Sequence, residues 1–392
     1  MKKIMLSMLF VVLFLLTSCK DDTIFTIENT IGPGPLDDPF IATIYPDETT
    51  MMQLTVPRSM ARDFVAREVV VEGDTVTPIS SENSSITIDV TDDYELSLTP
   101  LKLGTKWIEF SGGDKTYYLE VQIMKRDIDF TKQLRILGIG NSFTEDAMEY
   151  LYHIADDYGV EEIILGYLYI GGAPLSTHVE MIETEARDYR YYDNTKGYWA
   201  YHSSYTIEQG ITEQEWDLIS IQQASYDSGR AETYNDDITT LIDFIFEHAQ
   251  NKNVRIMWHM TWAYQATSNH SGFVNYDNDQ MTMYNAIINA VQTKIVPDER
   301  FDLIIPSGTA IQNVRTSYIG DTLTRDGFHL SYDQGRYIAG LTWFKEITGF
   351  SINEITYKPE GITDTDQQAI VEGVNYAVET PFEITPSTFT EE

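Results

Sequence analysis

The stretch Leu134–Ala147, LRILGIGNSFTEDA, decides the fold of the larger part of this chain. Its apolar first half, Leu134–Ile139, predicts a buried strand, and apolar residues that recur every three or four positions from Ala147 onward predict a helix. Gly140-Asn141-Ser142 is a tight turn between the two. This order places Ser142 at the carboxyl edge of a sheet and near a helix N-terminus, where backbone N–H groups can stabilise an anion.

Two interpretations of Ser142 follow. Its hydroxyl can be a catalytic nucleophile, because open α/β sheets bind ligands at the carboxyl ends of their strands. Alternatively it caps the next helix, since serine is a favoured N-cap residue. The turn alone favours capping, so residues elsewhere in the chain have to decide.

Four further apolar runs alternate with helical patterns after Ala147, and polar residues or glycines follow each run. Together with the opening strand they predict an α/β fold built on a five-stranded, parallel, doubly wound sheet. The runs are Ile163–Tyr169, Leu218–Ile221, Val254–Trp258 and Leu303–Ile305. The helices are expected at Ile238–Ala249, Met281–Val291, Asp333–Thr348 and Asp364–Val378.

The N-terminus reads as an export signal. Residues 1–18 are predicted to be a signal peptide, because two lysines precede an apolar run that is too short for a transmembrane helix. The sequence Leu-Thr-Ser-Cys ending at Cys19 resembles a bacterial lipobox, which implies lipidation of Cys19; an ordinary secretory signal with an incidental cysteine is the alternative. Lys-Asp-Asp at 20–22 resembles a signal for the outer cell surface. The expected location is therefore the outer membrane, with the protein anchored through Cys19 and exposed at the cell surface.

Three segments follow the signal peptide. Residues 19–40 contain Gly-Pro-Gly-Pro and predict a flexible tether. Residues 41–126 show short alternating strands and a hairpin that turns at Ser111–Asp114, which predicts a small all-β sandwich. Its end resembles bacterial immunoglobulin-like domains, and we expect a spacer, with sugar binding as the alternative. Residues 127–392 form the α/β domain with a C-terminal helical extension.

Charge and cysteine content exclude several classes of function and site. The chain has 61 acidic and 26 basic residues, a net charge of −35, so a basic footprint for nucleic acid is absent. This charge favours neutral substrates over anionic ones. One cysteine excludes an internal disulfide and a cysteine-based metal site. The spacing of histidines and carboxylates predicts no metal site, and we expect no cofactor.

An aromatic excursion lies between Ala186 and Trp216 and is expected to form a hairpin that turns at Asn194–Gly197. Tyr198 and Trp199 follow this turn. Exposed aromatic side chains beside a ligand-binding edge suit stacking on sugar rings. The alternative is that the rings pack the excursion onto the domain.

The segment Thr324–Ser331, TRDGFHLS, gives Ser142 its partners. Asp326 lies three residues before His329, so its carboxylate can accept the Nδ1–H of the imidazole and leave Nε2 free as a base. A serine hydroxyl needs such a base to become a nucleophile. The predicted catalytic residues are therefore Ser142, Asp326 and His329.

These motifs together resemble the SGNH (GDSL) hydrolase superfamily, and most closely its DUF4886 branch, with phrases such as GNSFTEDA, YIGGAPLSTH and TRDGFHLS. The resemblance implies a flavodoxin-like α/β fold and ester hydrolysis through an acyl-enzyme. It also implies that the N–H of Gly172 helps to form an oxyanion hole. The family's third block carries an asparagine that this chain lacks, so that donor role passes to Gln223, with Gln222 as second choice. Without either amide, the rate would fall on the order of a hundredfold.

Three more residues near strand ends are candidate substrate contacts: Asn141, His259 and Trp262. A histidine between Trp258 and Met260 can equally be a hydrogen-bonded packing residue, and the same holds for His178.

The function expected from the sequence is a serine esterase that removes O-acetyl groups from a neutral glycan at the cell surface. The alternative is a surface glycan-binding protein on the same scaffold with weak or no turnover. A lipid esterase is a third hypothesis, against which the lack of an evident apolar lid argues.

Overall fold

The computed structural model describes residues 24–26 and 39–390, except 55, 57–59, 61–62, 74, 92 and 114. The predicted signal peptide, Cys19 and most of the tether lie outside the described residues. The chain divides into two compact units, Met1–Lys125 and Arg126–Glu392.

The first unit is all β in its described part, apart from one short 3-10 turn at Ser81–Asn83. One sheet has the strand order β1-β3-β7-β6 and the other the order β2-β9-β8-β4-β5. The strands are β1 (Ile24–Thr26), β2 (Phe40–Ile44), β3 (Thr50–Gln53), β4 (Val65–Glu72), β5 (Thr75–Pro78), β6 (Ile86–Val90), β7 (Glu95–Pro100), β8 (Gly104–Gly112) and β9 (Lys115–Ile123).

Both sheets contribute to a single apolar core. Leu96 and Leu98 of β7 are fully buried, as are Ile108 of β8 and Val121 of β9. Along β7, buried and half-buried residues alternate, as a strand with one face on a core requires. The predicted hairpin is confirmed: β8 and β9 pair in antiparallel register up to Gly112 opposite Lys115. The immunoglobulin-like character of this unit stays a prediction.

The second unit contains a mixed sheet with the order β13-β12-β11-β10-β14-β15-β16. Strands β11, β10, β14, β15 and β16 are mutually parallel. Strands β12 and β13 add an antiparallel hairpin to the β11 edge. The strands are β10 (Gln133–Gly140), β11 (Glu162–Tyr169), β12 (Tyr189–Asn194), β13 (Ala200–Tyr205), β14 (Leu218–Ile221), β15 (Arg255–His259) and β16 (Phe301–Ile305).

The predicted sheet of five strands is therefore too small. The aromatic excursion does form a hairpin, but it pairs its first strand with β11 and extends the sheet to seven strands. Leu165 lies opposite Asn194, whereas Tyr169 at the carboxyl end of β11 lies opposite Arg190. The hairpin consequently runs from the carboxyl edge toward the amino ends of the parallel strands, where it turns.

Helices α5, α6, α8 and α9 lie within three residues of their predicted bounds. The helix predicted after Ser142 is instead two helices separated near Tyr150, whose φ of −100° and ψ of 0° are not helical. The helices are α1 (Ser142–Met148), α2 (Leu151–Tyr158), α3 (Leu175–Thr184), α4 (Ile207–Thr212), α5 (Asp236–His248), α6 (Gln280–Lys294), α7 (Ser307–Arg315), α8 (Gln334–Thr348) and α9 (Asp364–Glu379).

Helix α8 packs against four other helices of this unit. It contacts α1, α2, α7 and α9, and its Tyr337, Leu341, Trp343 and Phe344 are fully buried. Helix α3 contacts α4 and α5 in a separate group. Among the residues that the structure describes, no helix is long and apolar enough to cross a membrane.

Gly308 allows helix α7 to begin close to the end of β15. Its N–H donates to Met260 O at 2.9 Å, and a Cβ built on Gly308 would lie 2.3 Å from the carbonyl oxygen of Thr261. The main chain at Thr261 cannot move away from this contact as easily as the end of a flexible side chain could.

We predict that Gly308→Ala lowers the free energy of unfolding by about 1–3 kcal/mol, the usual cost of overpacking. Urea unfolding followed by tryptophan fluorescence measures the change. Gly171→Ala is the matched control, because its nearest atom would lie at 3.6 Å and its effect should be small. Equal stability of the two variants would contradict the close approach.

Candidate active site

Ser142 is the first residue of α1, at the carboxyl end of the central strand β10. Its helix is capped by Asn141, whose Oδ1 accepts a hydrogen bond from the Phe143 N–H at 3.0 Å. The capping interpretation of Ser142 is therefore wrong, because the preceding residue fills that role. The Ser142 Oγ instead lies 2.8 Å from the Nε2 of His329.

The loop that follows α7 brings the other two predicted residues to Ser142. The Nδ1 of His329 lies 2.6 Å from Oδ2 of Asp326. Because that carboxylate is an acceptor, Nδ1 carries the proton, and Nε2 is left to accept the hydroxyl hydrogen of Ser142. Ser142, His329 and Asp326 thus form one continuous chain of hydrogen bonds.

Asp326 is held in its ionised form by the same turn. Its Oδ1 accepts backbone hydrogen bonds from His329 at 2.8 Å and from Phe328 at 3.2 Å. Partial burial by itself would raise the pKa of Asp326, but the hydrogen bond from the His329 ring and these two backbone N–H groups outweigh it. The pKa of Asp326 is therefore lowered, which favours the carboxylate that His329 needs.

Aromatic packing fixes the turn between Asp326 and His329. The turn requires a glycine at 327, where φ is +93°. The Nε1–H of Trp262 donates to Phe328 O at 2.8 Å, and the Trp262 ring stacks on Phe143 with centroids 4.3 Å apart. Trp262 is completely buried, so it supports the loop. The substrate contact that we expected for Trp262 is therefore not possible.

A buried carboxylate joins α1 to the histidine loop, which is the segment 316–333 between α7 and α8 that carries His329. Asp146 of α1 has no exposed surface and accepts from Arg325 Nη1 at 2.9 Å and Arg336 Nε at 2.8 Å. Its Oδ2 also accepts from the N–H of Leu330 at 2.8 Å. The residues just after His329 are thereby tied to the helix that starts with Ser142. Sequence analysis missed this residue; the only signal was a pair of arginines on either side of His329.

Two backbone N–H groups are available near Ser142 for an anion. The Ser142 N–H is in the first turn of α1, where no intrahelical acceptor exists. The Gly172 N–H belongs to a turn with φ of +66°, and it has no acceptor among the described residues. This turn is connected to the serine turn, because Asn141 Nδ2 donates to Ala173 O at 3.1 Å.

The two glutamines expected as a third oxyanion donor have other partners. Gln223 Nε2 donates to Thr233 Oγ1 at 3.1 Å, and its Oε1 accepts from the N–H of Leu175 at 3.1 Å. Gln222 Nε2 donates to Asn141 Oδ1 at 2.9 Å. Both side chains are buried and connect loops at the carboxyl edge. Asn141, also buried, uses its amide in the same network and so does not fit the expected substrate contact.

His259 continues this network inward. Its Nδ1 donates to Gln222 Oε1 at 2.8 Å, and its Nε2 accepts from Ser307 Oγ at 3.1 Å. Complete burial lowers the pKa of His259 to about 3, so the ring is neutral. The packing interpretation therefore replaces the expected substrate contact. His178 is likewise buried, 2.7 Å from the Tyr189 hydroxyl.

Tyr198 and Trp199 lie away from Ser142. They follow the hairpin turn, which the register places toward the amino ends of the parallel strands. From Arg190, opposite the carboxyl end of β11, four residues of β12 lead away from that edge, roughly 13 Å. Trp199 packs edge-on against Tyr167, whereas Tyr198 is 62% exposed. Neither residue is expected to contact a substrate at Ser142.

No group of three or more metal-ligating side chains that could hold a metal ion occurs among the residues of the described ranges.

The larger part of the chain matches a known protein family. The model of a domain of unknown function, DUF4886, matches residues 135–377. The chain belongs to the DUF4886 family. A crystal structure of a DUF4886 family protein from Bacteroides uniformis is 40% identical over 66% of this chain and 100% of that chain, with a TM-score of 0.64. The predicted resemblance to DUF4886 is confirmed.

Two solved esterase structures show a weaker likeness to the present chain. Axe2, an acetylxylan esterase from Geobacillus stearothermophilus, is 16% identical over 57% of this chain and 98% of its own, with a TM-score of 0.38. A carbohydrate acetylesterase from Xanthomonas citri is 8% identical over 82% of this chain and 76% of its own, with a TM-score of 0.31. No curated protein matches the sequence.

We predict that Asp146→Asn lowers the free energy of unfolding by about 3 kcal/mol, because two arginines then lose their buried partner charge. Urea unfolding measures the loss. Glu145→Gln is the matched control: Glu145 is half-buried and lies 3.7 Å from Arg336, so its effect should stay below about 1 kcal/mol. Equal losses would show that Asp146 is no special link.

A pH effect follows from the burial of His259. Its folded pKa of about 3 lies below the unfolded value of about 6.5, so the unfolded chain binds the proton first as pH falls. Stability is complete above pH 6.5 and decreases below it by up to about 1.4 kcal/mol per pH unit. We expect His259→Gln to lose about 1.4 kcal/mol less than wild type between pH 7.5 and 5.5 in urea unfolding. If wild type and His259→Gln lose the same stability between pH 7.5 and 5.5, His259 is protonated in the folded protein as it is in the unfolded chain.

Proposed function

We propose that this protein is a serine ester hydrolase of the SGNH type. The observation that carries the proposal is the hydrogen-bonded chain from Ser142 Oγ through the His329 ring to Asp326, with distances of 2.8 and 2.6 Å. A serine hydroxyl that donates to the free nitrogen of an oriented imidazole is the arrangement that nucleophilic catalysis needs. A serine with only a structural role would not require this partner.

The first half-reaction forms an acyl-enzyme. Ser142 Oγ attacks the carbonyl carbon of the ester while His329 Nε2 takes the hydroxyl proton. The carbonyl π electrons move to oxygen, and the resulting oxyanion receives hydrogen bonds from the N–H groups of Ser142 and Gly172. When the tetrahedral intermediate collapses, the C–O bond to the alcohol breaks, and the leaving oxygen takes the proton from His329.

The second half-reaction reverses the roles. A water molecule gives its proton to His329 Nε2 and attacks the acyl carbon, and Ser142 leaves with the returned proton. Asp326 stabilises the imidazolium in both halves without accepting its proton. The lowered pKa of Asp326 supports this, because the carboxylate stays charged while His329 is protonated.

The substrate we propose is a neutral glycan that carries O-acetyl groups. A chain with a net charge of −35 disfavours anionic substrates. Lipidation of Cys19 would anchor the enzyme at the outer cell surface, where such polymers are accessible.

A glycan-binding role without turnover has lost part of its basis. It depended on the missing asparagine and on the aromatic hairpin as a platform beside Ser142, and the register of β12 moves the turn of that hairpin away from the serine. The complete chain from Ser142 to Asp326 supports turnover instead.

We predict that Ser142→Ala lowers the rate of p-nitrophenyl acetate hydrolysis at least about a thousandfold, because the nucleophile is lost. Ser203→Ala, at an exposed position on β13, is the matched control and should retain the wild-type rate. Mass spectrometry of wild-type protein treated with a serine-reactive phosphonate should locate the label on Ser142. Equal rates for Ser142→Ala and wild type would exclude the assignment.

A further inference from the structure

A cavity of about 470 Å³ opens beside the histidine loop. Its lining includes Tyr332, Arg325, Asp333 and Glu360. Tyr332 lies three residues after His329, so their Cα atoms are at most about 11 Å apart. An extended ligand that fills the cavity can therefore also reach His329, the residue that is hydrogen-bonded to Ser142.

The ring of Tyr332 is exposed yet firmly supported. Its side chain is 63% exposed, the largest exposed fraction together with Val274 among the large apolar and aromatic residues of the described chain. The Arg325 and Arg336 guanidinium carbons lie 4.8 and 5.0 Å from the ring centroid. The carbonyl oxygen of Tyr332 also accepts a hydrogen bond from the Tyr150 hydroxyl.

One face of this ring is free for a ligand. Arg325 and Arg336 both donate to Oδ1 of Asp146, so they approach the ring from the same side. The ion pairs with Asp146 hold both guanidinium groups in place and thereby hold the ring. A rigid aromatic surface costs little conformational entropy when it binds, unlike a freely rotating side chain.

Polar groups around the ring suit sugar hydroxyls. Within the described residues, Arg325 uses only its Nη1 for protein acceptors, to Asp146 and Leu330, which leaves Nε and Nη2 as donors. Glu360 is exposed and has no hydrogen-bond or ion-pair partner in the described part of the chain, so its carboxylate is an available acceptor. With Asp333 also on the lining, the acidic groups disfavour an anionic sugar.

We propose that this cavity, the Tyr332 cavity, is a carbohydrate subsite. A pyranose ring of a neutral oligosaccharide stacks on the free face of Tyr332, and the carboxylate of Glu360 accepts hydrogen bonds from its hydroxyls. The subsite binds a sugar unit at a distance from the ester that Ser142 attacks. This inference rests on the proposed esterase function for its role in catalysis, but the binding itself does not require turnover.

The binding test uses the full chain with Ser142→Ala, so that esters stay intact. Isothermal titration calorimetry measures its affinity for chemically acetylated xylose-, mannose- and glucose-based oligosaccharides. We expect binding of at least one of them, weakened about tenfold by Tyr332→Ala and retained by Tyr332→Phe, because stacking needs the ring and not the hydroxyl. Tyr198→Ala is the matched control: Tyr198 is almost equally exposed, at 62%, and should leave affinity unchanged.

The kinetic test uses the same tyrosine variants with an active Ser142. Tyr332→Ala should lower kcat/KM for the acetylated oligosaccharide about tenfold more than kcat/KM for p-nitrophenyl acetate, which is too small to span both sites. Thermal unfolding checks that every variant is folded.

The outcomes separate the two proposals. If wild type hydrolyses neither ester but the Tyr332-dependent binding is found, the esterase function fails and the subsite stands. If wild type hydrolyses p-nitrophenyl acetate and none of the oligosaccharides binds, the subsite is excluded and the esterase stands. Equal losses for Tyr332→Ala and Tyr332→Phe, or for Tyr332→Ala and Tyr198→Ala, would also overturn the subsite.

Discussion

The buried carboxylate of Asp146 is the constraint on which the site depends. It has no exposed surface, and its two oxygens accept from Arg325, Arg336 and the N–H of Leu330. A buried carboxylate is tolerated only when partner charges and hydrogen bonds replace its water. Since its donors come from the histidine loop and α8, the chain cannot satisfy Asp146 without bringing His329 next to the helix that starts with Ser142.

A second buried network forms the floor of the site. Asn141, Gln222, His259 and Ser307 are joined in series by hydrogen bonds of 2.8 to 3.1 Å, across the ends of β10, β14, β15 and β16. Such groups are stable in the interior only when they are all paired. The side-chain amides that we expected to face a substrate instead hold neighbouring loops in register, which leaves backbone N–H groups for the proposed oxyanion.

The aromatic residues divide between support and exposure in a way that composition does not indicate. Trp262 is buried beneath the turn between Asp326 and His329, and Trp199 packs on Tyr167. Tyr332, in contrast, is exposed, and two guanidinium groups lie against its ring. Arg325 and Arg336 are shared, because they neutralise Asp146 and also lie against Tyr332. The ion pairs that fix the histidine loop therefore also fix the ring of the proposed subsite.

The sequence by itself determined the parallel strands and most of the helices, because apolar periodicity is a local property, and its resemblance to a known family singled out Ser142, Asp326 and His329. It did not determine the partners of Gln222, Gln223 and His259, which depend on which loops meet at one sheet edge. It also missed that the aromatic hairpin pairs with β11 and turns toward the other end of the sheet. Only the tertiary structure decided these points, since the contacts that settle them join residues distant in sequence, such as Gln222 and His259, 37 positions apart, and Asn141 and Gln222, 81 positions apart.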